Sequence, residues 1–254
     1  MSDESADWWA TSIVRMAPGV VELRGRPVQD LIGSVDFVSM IWLMVRGSSP
    51  STREAALLEA ALVASVDHGP QAPSIAIARM TATCGVGINN AMASGINALG
   101  DSHGGAGQQC VEVLTEIVSL EDSGIGIDAA ASQVADRHRY VAGFGHRFHP
   151  VDPRSAPLLS LVDSAVADGV VAGRHLMAAR AVEKYLARVP MNIDGATAVI
   201  YAELGFAPEL ARGLFVLGRS VGILAHAWEE TTQGMRNKGP IPRSILPTYR
   251  GEAG

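Results

Sequence analysis

From Ser51 onward the chain repeats one pattern: a stretch with apolar side chains at helical spacing, then a glycine that closes it. Apolar residues recurring at i, i+3, i+4 and i+7 mark one face of an α-helix, whereas a half-buried strand alternates strictly. Alternation is confined to residues 20–28 (VVELRGRPV), which predict a small hairpin with Arg24-Gly25 near its turn. Ser51 and Glu54, directly after Pro50, have the spacing of a capping box, in which each side chain accepts the other residue's orphan N–H. The helix it opens is expected to run to His68 and stop at Gly69, which puts His68 at a helix C-terminus, where the macrodipole favours a cationic ring. Further helices are expected over 86–99, 107–120, 129–142 with Asp128 as its cap, 156–168, 171–188, 195–204 with Asp194 in the N-cap position, and 208–229. In the last of these, Leu210, Leu214, Leu217, Val221, Leu224 and Trp228 form a stripe predicted to be buried, while Arg212, Arg219 and His226 recur at heptad spacing on another face. The fold class is therefore all-α.

Composition narrows the function. A chain of 254 residues with 48% hydrophobic and 18% charged residues can bury a full core and is globular in character. Its net charge of −6 argues against nucleic acid or an anionic membrane as a partner. No uninterrupted apolar run approaches the ~20 residues of a membrane span, and MSDESADWWA lacks the basic-then-apolar layout of a signal peptide. Cys84 and Cys110 have no CxxC spacing, so neither a disulfide framework nor a cysteine zinc site is expected, and a reducing cytoplasm is the expected location. The P-loop, GxSxG and HExxH patterns are absent, and no His/Cys/carboxylate cluster has metal-ligand spacing. Trp8 and Trp9 are expected to be packing or interface residues. The proline-broken tail (Pro240, Pro242, Pro247) reads as an arm reaching across a subunit boundary.

The polar groups that stand out lie at helix breaks. His103 sits in SHGG, His146 in GFGHR and Asp194 in NIDG. Glycine beside a histidine lets backbone or ligand approach closely. Between Arg137 and Arg154 an acidic chain gathers Arg137, Arg139, Arg147 and Arg154 with His138, His146 and His149, a pattern suited to an anion such as a carboxylate or phosphate. Singly, each has an ordinary structural reading: Asp194 as a helix cap, His68 as a C-terminal cap, Arg154 as a turn residue and Arg219 as a solvated helix residue.

Jointly and in order, these segments resemble the citrate synthase family, in a short form like citryl-CoA lyase. The resemblance runs from Arg24 to Gly251 through RGRPVQDLIG, DHGPQAPSIAIARMTA, LGDSHGGAGQ, GFGHRFHPVDPR, PMNIDGATA and FVLGRSVGILAHAWEE. It implies two helical domains with a cleft between them: a large one from 1–107 and 206–254, the latter including the arm, and a small one from 108–205. It implies carbon–carbon cleavage of citryl-CoA, or a close analogue, to acetyl-CoA and oxaloacetate; the alternatives are a citrate synthase and, from another class, a non-catalytic acyl-CoA-binding subunit. In the implied site Asp194 moves the methyl proton, His103 donates to the thioester oxygen, and His146 donates to the keto oxygen and takes the hydroxyl proton in cleavage. His68, Arg154 and Arg219 hold carboxylates. Arg147 and Arg188 are candidate CoA contacts, and Lys238 or Arg243 candidate cross-subunit contacts. Coenzyme A enters only as part of the substrate, no metal is required, and a homodimer or larger even homo-oligomer is expected. The sequence departs from the family pattern in four places. The chain is short between the entry segment and His68, the loop from His146 to Arg154 is a residue shorter, Gly69 and Gln71 stand where the family has glutamate and asparagine, and the closing segment reads KGPIPRSILPTYRG, which leaves the cross-subunit basic residue as Lys238, Arg243 or neither.

Overall fold

The computed structural model describes residues 8–234, 236–239 and 243–252. Its helices begin where capping residues allow and end where glycine permits a left-handed turn. A three-stranded antiparallel sheet, β1 (Val14–Ala17), β2 (Val20–Leu23) and β3 (Arg26–Pro27), precedes them. Arg24 and Gly25 join β2 to β3 with positive φ of 51° and 76°, the conformation a two-residue hairpin turn requires. Strand β1 is not visible as alternation in the sequence, because all four of its residues are exposed. Arg24 ties the sheet to the helices, its Nε and Nη2 donating to the Met44 carbonyl at 3.0 and 2.6 Å.

The helices are α1 (Val28–Leu31), α2 (Phe37–Arg46), α3 (Thr52–Ser65), α4 (Pro73–Ala82), α5 (Ile88–Asn97), α6 (Ala106–Asp122), α7 (Ile127–Ala135), α8 (Ser155–Ala167), α9 (Arg174–Leu186), α10 (Ile193–Glu203) and α11 (Pro208–Gln233), followed by a 3₁₀ turn, Arg243–Ile245. The capping box of α3 is present: Ser51 Oγ accepts from Glu54 N, and Glu54 Oε2 accepts from Ser51 N at 2.7 Å.

Helix α10 is the centre of the molecule. Every residue from Ile193 to Ala202 except Asp194 is buried, as expected of a helix that is apolar all round. Helices α3, α6, α8, α9 and α11 surround it. A second cluster, Ala72, Ile75, Ala78, Ala91, Ile223 and Ala227, joins α4 and α5 to α11.

Several expectations change. Helix α3 stops at Ser65, so His68 lies in a loop rather than at a helix end. Ser65 O accepts from Arg219 Nε instead of from Gly69 N, which goes to Asp67 Oδ2, and α11 packs close by, so that a Cβ on Gly222 would collide with the Val66 carbonyl oxygen. Helix α4 was not anticipated. Helix α7 ends at Ala135 instead of 142, closing through turn bonds from Arg137 N to Val134 O and His138 N to Ala135 O. Gly126, not Asp128, precedes it, and Asp128 pairs with Lys184 at 2.6 Å.

The apolar stripe of α11 is only partly interior: Leu214 is buried, whereas Leu217, Val221, Leu224 and Trp228 are exposed. The buried face is Ala211, Leu214, Phe215, Gly218, Arg219, Gly222, Ile223 and Ala227, where small residues let neighbouring backbones approach. This helix is also long and apolar enough to cross a membrane by length and composition, which the absence of an uninterrupted apolar run had not shown. It packs on α3 through α6 and carries Arg212, Arg219 and Glu230 into those contacts. Trp8 and Trp9 are exposed and pack on each other at 5.3 Å.

One contact brings two distant segments together. Gly143, at φ +86°, has its carbonyl oxygen against the Gly195 Cα, where a Cβ would collide with it. A Cβ on Gly143 would in turn stand 2.7 Å from Cys110 Sγ and 2.8 Å from Gly195 Cα. Around this contact Gly145 N donates to Pro190 O (2.8 Å) and Asn192 N to Gly143 O (2.9 Å). We therefore expect Gly195→Ala to lower stability by about 1–3 kcal/mol through overpacking, read as a lower denaturant midpoint. An unchanged midpoint would mean that the backbones separate freely here.

Candidate active site

The six side chains that the resemblance assigns to the site arrive from five parts of the fold. His68 comes from the loop between α3 and α4, and His103 from the turn before α6, closed by Gly100 N to His103 O (2.8 Å). His146 and Arg154 come from the loop between α7 and α8, Asp194 from the first turn of α10, and Arg219 from the middle of α11. All six line one cavity of about 100 Å³, with Ser65, Thr197 and Phe215 among its other walls. A second cavity of about 270 Å³ adjoins it, sharing His68, His103 and His146 and adding Gln71, Ser102, Arg147 and Phe148. A roomier cavity, about 580 Å³, lies between the ends of α4 and α11 and holds none of these residues. Convergent polar groups, not volume, identify the site.

Hydrogen bonds fix the imidazoles. His103 Nε2 accepts from Ser74 N at 3.1 Å, so the neutral ring carries its proton on Nδ1. His146 Nδ1 accepts two backbone N–H groups, Phe148 at 3.0 Å and His149 at 3.1 Å, so its proton sits on Nε2. Each ring is thereby set as a donor through its other nitrogen. His68 meets His146 edge-on, ring centres 5.3 Å apart. Its loop is shaped by the two residues that depart from the family pattern. Gly69 takes φ +83° and donates to Asp67 Oδ2 (3.0 Å), and Gln71 Nε2 donates to the His68 carbonyl (3.0 Å).

The two arginines are held from behind. Arg219 is 6% exposed; its Nε donates to Ser65 O at 3.0 Å and its guanidinium lies 5.0 Å from the Phe215 ring centre. Arg154 donates from Nε and Nη2 to Asp152, both at 2.9 Å. Burial pushes His103 below the usual histidine range, with help from the Arg219 charge. It does the same to His68, reinforced by Arg154 and Arg219 against the opposing pull of Asp152. His146 is also lowered, by burial first, with Asp152 opposing.

One expectation about Asp194 is corrected. Its backbone N–H, with that of Gly195, is taken by the side chain of Asn192, which is the actual cap of α10. Burial raises the pKa of its carboxyl, only partly offset by Arg219 and Arg154. Arg219, which alone reads as a solvated residue, is buried.

Among the remaining candidates, Arg147 lines the outer cavity, while Arg188 is exposed and lines neither. Lys238 is engaged within the chain, its Nζ 2.8 Å from buried Glu230 Oε1 and its N–H donating to Thr83 Oγ1. The side chain of Arg243 lies outside the described residues. Ser74, Asn192 and Asp152 escaped the sequence reading; a polar residue two positions before Asp194 and an Asp two before Arg154 were the available signals.

By nuclear magnetic resonance, we expect the His68, His103 and His146 rings to titrate below the ordinary value of about 6.5. A pKa above that value for His103 or His146 would contradict the neutral-donor arrangement.

Comparison with known proteins follows the same lines. The family model "Citrate synthase, C-terminal domain" matches residues 25–243. The glyoxysomal citrate synthase of Cucurbita maxima is 30% identical over 93% of this chain and 47% of its own. The chain spans about half the length of the curated relatives it matches. Among solved structures, citryl-CoA lyase from Hydrogenobacter thermophilus is similar with a TM-score of 0.86 at 30% identity, covering 97% of this chain and 96% of that one. ATP citrate lyase from Methanothrix soehngenii, solved with citrate and coenzyme A, shares the fold, with a TM-score of 0.82 at 18% identity over 99% of this chain and 45% of that one.

Proposed function

Because the chain belongs to the citrate synthase family, we propose that it is a citryl-CoA lyase, cleaving citryl-CoA or a close analogue to acetyl-CoA and oxaloacetate. The observation that carries this reading is mutual coverage. The chain and the Hydrogenobacter lyase match at 30% identity over 97% of one and 96% of the other, with a TM-score of 0.86.

In this reading the inner cavity takes the dicarboxylate end of the substrate, between Arg154, Arg219 and His68, and the outer cavity admits the thioester arm past Arg147. If the chain divides at 107 and 205, each part brings three of the six groups. His68, His103 and Arg219 then face His146, Arg154 and Asp194 across the cleft.

Cleavage breaks the bond between the hydroxyl-bearing carbon and the carbon next to the thioester. The hydroxyl proton leaves, its oxygen becomes the keto carbonyl, and the bonding pair moves onto the thioester as an enolate. A carbanion there is far too basic to form unaided, so its charge needs a donor already in place. His103 supplies that donor from Nδ1–H. His146, with Nδ1 occupied, stabilises the alkoxide by donating from Nε2–H. Since the neutral ring has no free lone pair facing the substrate, the hydroxyl proton passes to water rather than to His146, a revision of the role the resemblance implied. Asp194, whose burial favours the protonated form, then delivers its proton to the enolate carbon to complete acetyl-CoA and recovers one from solvent. The arginine forks bind carboxylates in a geometry lysine cannot reproduce.

The purified protein given synthetic citryl-CoA should release oxaloacetate and intact acetyl-CoA, and Asp194→Asn should slow this by about 10²–10⁴-fold, the usual contribution of a positioned acid. Citrate with free CoA would instead make it a synthase. CoA binding without turnover would make it a non-catalytic subunit.

The exposed row Leu217, Val221, Leu224 and Trp228 supports a homodimer packed through α11, since a contiguous apolar face on a soluble chain marks an interface. Sedimentation should show a dimer that Val221→Glu converts to monomer; a wild-type monomer would refute it.

A further inference from the structure

Asp152 takes no part in the reaction as described and lines neither cavity, yet it is 1% exposed and every acceptor direction of its carboxylate is used. Oδ1 accepts from Arg154 N at 3.1 Å and Arg154 Nε at 2.9 Å; Oδ2 accepts from Arg154 Nη2 at 2.9 Å and from Ile193 N at 3.1 Å. We propose that Asp152 is a positioning residue that locks Arg154 and the first turn of α10 into one unit, so that the guanidinium and the Asp194 carboxyl are presented to the substrate in fixed relation. This rests on the lyase reading for the identity of the ligand, an oxaloacetate-like keto dicarboxylate.

Three observations lead there. The first is which edge of Arg154 is consumed. Asp152 occupies Nε and one proton of Nη2, leaving Nη1 and the second Nη2 proton, the end-on edge, for a carboxylate from the cavity. The second is the allotment of N–H groups at the start of α10. A helix leaves its first N–H groups without internal partners. Here Ile193 N goes to Asp152, and Asp194 N and Gly195 N go to Asn192. The Asp194 carboxyl is thus relieved of capping and free to face the cavity. The third is cost. A buried ion pair is often no better for stability than apolar side chains of similar volume. Here the pair lies within the loop that carries His146, and the same carboxylate reaches the start of the helix that carries Asp194 by accepting from Ile193 N, where a fixed geometry serves chemistry.

Electrostatics agree with the geometry. Although burial opposes it, the Arg154 side chain and the N–H groups of Arg154 and Ile193 hold Asp152 at about 2, so it stays ionised near neutrality. Its charge opposes the lowering of the His68 and His146 pKa values and adds to the raising of Asp194.

The test uses Asp152→Asn, which keeps the size and removes the charge. In the folded variant, oxaloacetate affinity by calorimetry should fall at least tenfold and the His146 resonance should titrate lower than in wild type. In an Arg154→Gln background, Asp152→Asn should cause no further loss of affinity, because its effect on binding runs through Arg154. An unchanged affinity and an unchanged His146 titration, or a full additional loss in the Arg154→Gln background, would overturn the proposal. Should Asp152→Asn fail to fold alone, the double variant buries no lone charge, and its affinity relative to Arg154→Gln decides the matter. If wild type binds no oxaloacetate, the lyase reading fails, and the His146 titration in Asp152→Asn still decides for or against the placement of Asp152.

Discussion

Two glycines touching backbone to backbone hold the site together. Gly143 and Gly195 are far apart in the chain, yet the carbonyl of one lies where a Cβ of the other would stand. This contact lets the segment carrying His146 pair with the segment that opens α10, through Gly145 N to Pro190 O and Asn192 N to Gly143 O. Any side chain at either position would force the two apart, and with them His146 and Asp194. Because α10 is packed on every face by other helices, its first turn cannot shift to compensate. The rigidity of the core is transmitted to Asp194 in this way.

Around that fixed point the charges are arranged so that each group is left with one open direction. Ser74 and the backbone of residues 148–149 occupy one nitrogen of His103 and of His146. Ser65 and Asp152 hold the rear edges of Arg219 and Arg154. The open directions meet in a small, half-enclosed space, where low dielectric strengthens every interaction that a ligand makes. A buried Arg219 and a half-buried Arg154 without nearby anions would be costly. Asp152 and Asp194 supply negative charge, and Asp194 answers its own burial by favouring the protonated form.

Helix α11 shows how one element can serve two surfaces. Its small-residue face lies on α3, α4, α5 and α6, and its Arg219 takes the carbonyl of Ser65, where α3 ends. Its bulky face, Leu217 through Trp228, looks outward. Below it, Glu230 gathers Arg79 and Lys238, which anchors the start of the tail against α4.

The helical pattern, the capping box at Ser51 and the polar groups His103, His146 and Asp194 at helix breaks were legible in the sequence, because periodicity and turn chemistry act between near neighbours, whereas His68, Arg154 and Arg219 stood out only through the order of the family motifs. So was the Arg24-Gly25 turn. Whether α3 would reach His68, which face of α11 would be buried, and which residue would cap α10 were decided by tertiary contacts. The bulkiest stripe of α11 faces out because glycines on the other face permit closer packing, a preference that hydrophobic spacing cannot express. Asp194 has the sequence of a cap but lies in the first turn of α10, because the helix is capped two residues earlier, by Asn192, whose side chain accepts from Asp194 N and Gly195 N. The residue types needed for the chemistry are local facts; their protonation, tautomers and mutual distances depend on burial and on hydrogen bonds between segments that only the folded chain brings together.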